Sequence, residues 1–252
     1  MRTESEWREY LQKEADKVLT GWDFSYLNGR MIETKPPWRY REKVLDFLKP
    51  GQRLLDMGTG GGEFLLSLRH PYELTAVTES YGPNYELCRK RLSPLGIDVR
   101  CCEGDAKLPF DDESFDLIIN RHESYDLAEV YRVLRRGGFF ITQQVGGRNN
   151  AELIERLLPG TKPQMPDFNL ENEILRFRKT GLRIMYRDQS YMQVCFRDIG
   201  AVSFFARVIV WEFPGFSVDS CFDQLMELQK EIERRGCIRT QSHRFILIGK
   251  RV

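Results

Sequence analysis

The sequence lacks net charge, a Cys-x-x-Cys pair and any apolar run long enough to cross a bilayer. Lys and Arg (38) nearly balance Asp and Glu (37), so the composition carries no overall signature of a nucleic-acid or membrane-surface binder. The six cysteines have neither zinc-ribbon spacing nor the setting of a disulfide framework, and we predict reduced thiols and no metal site. The first residues are charged rather than apolar, so we expect no signal peptide or anchor and predict a cytoplasmic protein.

The most informative segment is Leu54–Glu63, which reads Leu-Leu-Asp-Met-Gly-Thr-Gly-Gly-Gly-Glu. Its apolar start predicts a buried strand that ends at Asp56, and its glycines predict a turn that lets a ligand contact backbone. The apolar residues that follow predict a helix whose first amides face that ligand.

The chemistry of this turn selects among ligands. A dinucleotide motif, Gly-x-Gly-x-x-Gly, fails in both registers, because its last position would be Glu63 or Leu65. A carboxylate at Asp56 would repel a pyrophosphate but suits a cationic or hydroxylated ligand. The segment therefore disfavours a nicotinamide-dependent oxidoreductase and favours S-adenosylmethionine, which carries an ammonium, a sulfonium and a ribose diol but no phosphate.

Further polar residues follow the next predicted strands. Glu79 ends a strand over 72–78, at the spacing from Asp56 expected of a ribose-binding acid. Asp105 follows a strand over 97–102, and Asn120 ends the fourth strand. A fifth strand covers 139–145, a sixth 182–188 and the last 245–250, with helices predicted over 4–19, 38–48, 83–92, 129–134, 149–158, 170–179 and from about 219 to 235.

Asp56-x-Gly58-x-Gly60-x-Gly62 resembles the first motif of class I S-adenosylmethionine-dependent methyltransferases. The later segments Gly-Asp-Ala, Leu-Pro-Phe, Ser-Phe-Asp, Glu-Val-x-Arg-Val-Leu and Gly-Gly-x-x-Ile are similar to the type 11 group, over about residues 38–145. Arg136 replaces a proline common in that group, and the segment from Arg121 to Leu127 is short. The resemblance implies an α/β fold, a Rossmann-like doubly wound sheet of seven strands in the order 3-2-1-4-5-7-6, with the last strand antiparallel and helices on both faces.

The resemblance also implies the cofactor contacts. Asp56 and the Gly58–Gly62 turn would hold the methionine part, Glu79 the ribose, and Asp105 with the Ala106 amide the adenine. The complete predicted cofactor set is Tyr40, Asp56, Gly58, Thr59, Gly60, Gly62, Glu79, Ser80, Asp105, Ala106 and Asn120.

Two histidines are candidates for acid–base chemistry. His122 follows the fourth strand, where it could act as general base with Glu123 or Asp126 orienting it. The alternative is that His122 caps the next helix or contacts cofactor backbone. His243, at the start of the last strand, is the weaker candidate, whereas His70 precedes a strand and is interpreted as structural.

The acceptor is predicted less directly. Residues 1–36 form an amphipathic helix and an aromatic segment, either a lid or packing, and 37–252 form the methyltransferase domain. Within it, 190–216 is interpreted as a substrate-covering insertion, although its apolar part could equally be core. No Asn-Pro-Pro-Tyr motif is present and the bases near Arg176 form no clean patch, so a small organic acceptor is favoured. RNA methylation and non-catalytic cofactor binding stay open, and no oligomeric state is predicted.

Overall fold

The computed structural model describes residues 2–19, 23–103 and 105–252. Trp22 of the aromatic segment and Gly104 of the Gly-Asp-Ala motif lie outside the described residues. The helices are α1 (Glu4–Ala15), α2 (Tyr40–Phe47), α3 (Glu63–Ser67), α4 (Gly82–Arg91), α5 (Leu127–Val133), α6 (Ala151–Leu157), α7 (Leu170–Thr180), α8 (Ile199–Val208) and α9 (Phe222–Arg235). The strands are β1 (Met31–Glu33), β2 (Leu54–Met57), β3 (Thr75–Glu79), β4 (Asp98–Cys101), β5 (Phe115–Arg121), β6 (Leu134–Val145), β7 (Leu182–Phe196) and β8 (Ile238–Arg251).

The strands pair in the order β1-β7-β8-β6-β5-β2-β3-β4. Neighbours from β4 to β6 are parallel, and β8 runs antiparallel to β6. This order confirms the predicted arrangement 3-2-1-4-5-7-6 and the α/β class, with one strand more than expected. The extra strand, β1, pairs antiparallel with β7 and is only three residues long, too short to show a periodic signal in the sequence.

Several strands are longer than predicted. β6 begins at Leu134 rather than Phe139, and the register between β5 and β6 shifts between Phe115 and Leu117. β7 continues to Phe196. Its middle contains many polar and partly exposed residues, so it lacks the apolar run that predicts a strand. At the other extreme, α3 has only five residues, shorter than the helix expected after the glycine turn.

One compact unit consists of Pro37–Val145, Phe168–Gln189 and Arg244–Val252. All four residues of β2 are buried, and Leu54 and Leu55 belong to two different hydrophobic clusters. Successive strand residues point to opposite faces, so this central strand is covered by apolar side chains on both sides. Its polar carboxyl end is thereby held in a rigid position.

The other unit consists of Met1–Pro36, Gly146–Asp167 and Ser190–His243. A single hydrophobic cluster joins residues of α1, α6, α8 and α9, including Leu11, Phe204 and Leu225. The apolar part of 190–216 begins after Asp198, which caps α8 by accepting from the Ala201 N–H (2.8 Å), and its buried residues belong to this cluster. The expected domain division and the insertion over 190–216 stay predictions. In the described ranges, none of the helices combines the length and apolarity that a bilayer span requires.

Candidate functional site

A glycine turn joins β2 to α3. Gly58 and Gly60 have φ values of +68° and +62°, in the left-handed region that favours glycine. The Gly58 and Thr59 N–H groups donate to the Thr78 carbonyl at 3.0 and 3.2 Å, which ties the turn to β3. A Cβ atom at Gly60 would meet nothing within 4 Å, so the backbone there is open to a ligand.

Asp56 lies at the carboxyl end of β2 and is 5% exposed. Its Oδ2 accepts a hydrogen bond from the Thr59 hydroxyl at 2.7 Å. Desolvation raises the pKa of Asp56 to about 7, with the Glu79 carboxylate adding and Thr59 and Arg121 opposing. A cationic or hydroxylated ligand would supply the partner that this buried carboxylate needs.

Glu79 ends β3 and is also buried. Its Oε2 accepts from the Gly60 N–H at 2.8 Å, and its Oε1 accepts from the Tyr81 N–H at 3.0 Å. The predicted ribose-binding acid therefore also holds the glycine turn in shape. Each carboxylate oxygen can accept more than one hydrogen bond, so Glu79 keeps capacity for a diol.

Asn120, at the end of β5, is fully buried and central to a polar network. Its Oδ1 accepts from the Thr142 hydroxyl (3.0 Å) and from Gln144 Nε2 (2.5 Å), and its carbonyl accepts from the Tyr40 hydroxyl (3.0 Å). Burial and the Asp56 charge raise the pKa of Tyr40, which stays a neutral donor.

Three buried polar atoms on β3, α4 and β5 find no hydrogen-bond partner among the described residues: Thr78 Oγ1, Asn84 Nδ2 and Asn120 Nδ2. Leaving such an atom unpaired costs about 1–3 kcal/mol, so native proteins rarely do so. Two of the three belong to residues directly beside the glycine turn or at the end of the neighbouring strand. A polar ligand at this edge of the sheet would pair with them.

His122 and Glu123 lie in the loop that follows β5, where the sequence predicts a general base. His122 has a φ of +68°, and its N–H donates to the Gln143 carbonyl at 2.9 Å. Desolvation lowers the pKa of His122, and the charges of Arg244 and Arg121 act in the same direction. The side chain is exposed at the surface, so desolvation acts on it only in part, but both causes favour the neutral ring at pH 7.

Glu123 packs against the glycine turn. A Cβ atom at Gly58 would lie 2.5 Å from the Glu123 Cβ, so only glycine fits beneath this side chain. The Gln144 amide donates to the Glu123 carbonyl at 3.0 Å and fixes the loop. Asp126, which we proposed as a residue that orients His122, instead caps α5 by accepting from the Ala128 N–H at 2.7 Å.

The remaining predicted residues are Asp105, Ala106, Ser80 and His243. Asp105 is exposed in the loop after β4, the Ala106 N–H donates to the Glu103 carbonyl (3.1 Å), and Ser80 is half-buried. Their assignment to the cofactor stays a prediction. His243 belongs to the other compact unit, where it is buried, stacks on Tyr191 at 4.5 Å and accepts from the Arg148 N–H (3.4 Å) through Nδ1.

Four side chains that hold the loop after β5 in place were not predicted from the sequence: Trp38, Thr142, Gln143 and Gln144. A signal was present, because Thr142-Gln143-Gln144 places three polar residues directly after the apolar run 139–141, at the carboxyl end of the strand. All three are buried. Buried polar residues at that end of a parallel strand are candidates for ligand binding.

A cavity of about 610 Å³ is lined by Glu152, Arg156, Glu231, Arg235, Cys237 and Arg239 in the other unit. Two of its arginines pair with Glu231, Arg156 at 2.5 Å and Arg235 at 3.7 Å, and we assign the cavity no function. Among residues 2–19, 23–103 and 105–252, no group of three or more His, Cys, Asp and Glu side chains could hold a metal ion.

A doubly wound sheet of this order, with Asp56 and a glycine turn after its first parallel strand, is the arrangement that the resemblance to class I S-adenosylmethionine-dependent methyltransferases implies. Residues 55–142 match the family model described as a methyltransferase domain. The match supports a class I S-adenosylmethionine-dependent methyltransferase domain in that part of the chain.

Known relatives cover part of the chain. It is 36% identical over 138 residues to the phthiotriol/phenolphthiotriol dimycocerosates methyltransferase of Mycobacterium tuberculosis, which is 50% of each chain. It is 34% identical over 127 residues to the fatty-acid O-methyltransferase of Mycolicibacterium smegmatis, covering 46% of this chain and 45% of the relative. The chain thus spans about half the length of the curated relatives it matches.

A solved structure resembles the whole chain. The crystal structure of a SAM-dependent methyltransferase from Aquifex aeolicus has a TM-score of 0.52 and 15% identity, covering 97% of this chain and 98% of that one. At this identity the likeness shows the fold alone.

Proposed function

We propose that this protein is an S-adenosylmethionine-dependent methyltransferase that transfers a methyl group directly to a small organic acceptor. The observation that carries the proposal is the pair of buried carboxylates, Asp56 and Glu79, around a glycine turn whose backbone is open at Gly60. This pair suits a ligand that combines positive charge with a diol.

The residues present fit that cofactor. Asp56 would bind its cationic methionine part and Glu79 its ribose hydroxyls, while Asn120 Nδ2 and Thr78 Oγ1 are buried donors that lack a partner within the described chain. Asp105 and the Ala106 amide would contact the adenine. When bound, S-adenosylmethionine supplies a methyl group that its sulfonium already makes electrophilic.

The protein's own contribution is alignment. Rigid placement of Asp56, Glu79 and Asn120 at strand ends would fix the reacting partners relative to each other, and such positioning can be worth about 7–11 kcal/mol. The network of Gln144 with Asn120, Thr142 and the Glu123 carbonyl holds the acceptor loop against the same edge. His122 is the histidine on this loop and our candidate for acid–base chemistry there.

A small organic acceptor is supported by the relatives, which are named for phthiotriol dimycocerosates and for fatty acids. RNA has no specific observation in its favour. The cytoplasmic location expected from the sequence stays a prediction.

The test is a transfer assay with methyl-labelled S-adenosylmethionine and a panel of fatty acids, phenols, alcohols, amines and total RNA. We expect label in a small organic molecule together with release of the demethylated cofactor, and loss of both in Gly60→Val. Label in RNA alone would overturn the acceptor class. Cofactor binding without any transfer would indicate a non-catalytic binding protein.

A further inference from the structure

His122 is held in an unusual backbone conformation directly after β5. Its φ of +68° is uncommon for a residue with a side chain, and its N–H is tied to the Gln143 carbonyl at 2.9 Å. Strained residues persist where the surrounding structure determines them, and they cluster at functional sites. The loop therefore fixes the backbone from which the His122 ring projects, and the ring itself contacts the Gln143 side chain.

The Gln143 side chain determines what this ring can do. Gln143 Oε1 accepts a hydrogen bond from the Trp38 indole N–H at 2.7 Å, and both residues are buried. An indole can only donate, so the amide oxygen of Gln143 must face Trp38. Its NH2 group is consequently the part that lies 3.4 Å from His122 Nε2.

An NH2 group facing Nε2 defines the tautomer of the imidazole. Nε2 must accept, so the proton of a neutral ring resides on Nδ1. Protonation of Nε2 would set one N–H against another, in agreement with the lowered pKa of His122. The lone pair that a general base requires is already engaged at Nε2, and Nδ1 carries a hydrogen.

We propose that Trp38 and Gln143 are positioning residues that hold His122 as the Nδ1–H tautomer, so that His122 donates a hydrogen bond to an acceptor already ionised at neutral pH, namely a carboxylate. The proposal rests on the proposed methyl transfer and names its substrate class. An ionised acceptor requires no base, whereas an alcohol or ammonium would have to lose a proton first. The positive charges of Arg121 and Arg244 next to His122 favour an anion at this position.

The reaction on a carboxylate balances without a proton. A carboxylate oxygen forms the new bond to the methyl carbon, the carbon–sulfur bond breaks, and its electron pair stays on sulfur. The products are a methyl ester and a neutral thioether. His122 keeps its Nδ1 hydrogen throughout.

The tautomer is tested without any turnover. Nitrogen-15 NMR of histidine-labelled protein distinguishes Nδ1–H from Nε2–H, and loss of one signal in His122→Asn assigns it. Asparagine tolerates the left-handed backbone, so this variant should fold. We expect Nδ1–H in the wild type and a shift toward Nε2–H in Gln143→Glu, whose carboxylate accepts from both neighbours. Trp38→Phe, which keeps a ring but removes the donor, should give a mixture. An Nε2–H or charged His122 in the wild type would overturn the proposal.

The acceptor class is tested by comparing decanoate and benzoate with decan-1-ol and benzyl alcohol, using labelled S-adenosylmethionine. We expect methyl esters to form at least about 100-fold faster than ethers, and His122→Asn to lower kcat/KM roughly 10²-fold with cofactor affinity unchanged. Preferential methylation of alcohols or amines would contradict the carboxylate assignment. Absence of S-adenosylmethionine binding would instead remove the proposed function itself, while the tautomer measurement would still stand.

Discussion

At the scale of single residues, the two buried acids could be predicted from the sequence. Each ends a predicted strand, and Glu79 has the spacing from Asp56 expected of a ribose-binding acid. Asp56 and Glu79 are both less than 6% exposed, as a ligand-binding role at a strand end requires. The dual use of Glu79, which also accepts from two backbone N–H groups, could not be predicted, because it depends on how the turn folds back on β3.

Asp56 should make cofactor binding depend on pH. Its raised pKa, about 7, means that the folded protein without cofactor binds more protons than the unfolded chain between about pH 4 and 7, so this group lowers stability as pH rises through that window. A cationic ligand needs the ionised form. We expect affinity for S-adenosylmethionine to be roughly tenfold weaker at pH 6 than at pH 7.5, measured by calorimetry.

Asp56→Asn is the control for this effect. It should bind weakly at both pH values and lose the dependence, because the amide cannot ionise. A wild-type affinity that is flat across this range would show that Asp56 does not contact the cation. Asp56→Ala should weaken binding by about 1–3 kcal/mol.

Glu79→Ala should also weaken cofactor binding by about 1–3 kcal/mol, because it removes the partner of the diol and releases the Gly60 and Tyr81 N–H groups. Glu79→Gln keeps one acceptor oxygen and should fall between this variant and the wild type. Titration calorimetry of all three proteins checks this ranking. Equal affinities of the three proteins for the cofactor would show that Glu79 does not contact it.

At the scale of elements, the glycine turn behaves as its sequence predicts, while the loop after β5 does not. Glycine spacing reports local backbone conformation directly, whereas the role of Gln143 arises from a contact between β6 and Trp38, 105 positions apart in the chain. Such pairing depends on tertiary structure. The capping of α5 by Asp126 likewise became evident only in the structure, and its predicted role in orienting His122 stays a prediction.

Gly60→Val tests the turn. Left-handed backbone costs a residue with a side chain about 1–2 kcal/mol, and the added side chain would fill the space open to the ligand. Gly96→Val is a matched control, because Gly96 also has positive φ (+95°) and open space around a built Cβ. We expect similar losses of unfolding free energy in urea for both variants but loss of cofactor affinity only in Gly60→Val. Normal affinity in Gly60→Val would show that the turn is not the site.

At the scale of the whole molecule, the parallel strands followed from the sequence pattern and their order from the family resemblance, while the unit that contains α1 and α8 followed from neither. The parallel strands carry strong apolar runs with polar ends, and each crossover brings a helix. The other unit is assembled from three separated chain segments, so its core becomes evident only when Leu11, Phe204 and Leu225 meet.

Arg30, which directly precedes β1, links α1 to the start of α8 in that unit. Its guanidinium donates to Glu14 of α1 at 2.9 Å and to Asp198 at the start of α8 at 2.5 Å, and it is 23% exposed. Arg30→Met should lower the free energy of unfolding by about 1–3 kcal/mol, less than for a fully buried pair because solvent screens the charges. Lys13→Met, which breaks an exposed pair with Glu9, should change it by less than about 0.5 kcal/mol. Equal effects in urea denaturation would contradict this role for Arg30.

The central claim is that the turn between Asp56 and Glu63 binds S-adenosylmethionine. The most direct measurement is titration calorimetry of the wild-type protein with S-adenosylmethionine, its demethylated product and NAD, under identical conditions. We predict saturable binding of the first two compounds, lost in Gly60→Val and kept in Gly96→Val, and none of NAD. Binding of NAD without S-adenosylmethionine would contradict the account.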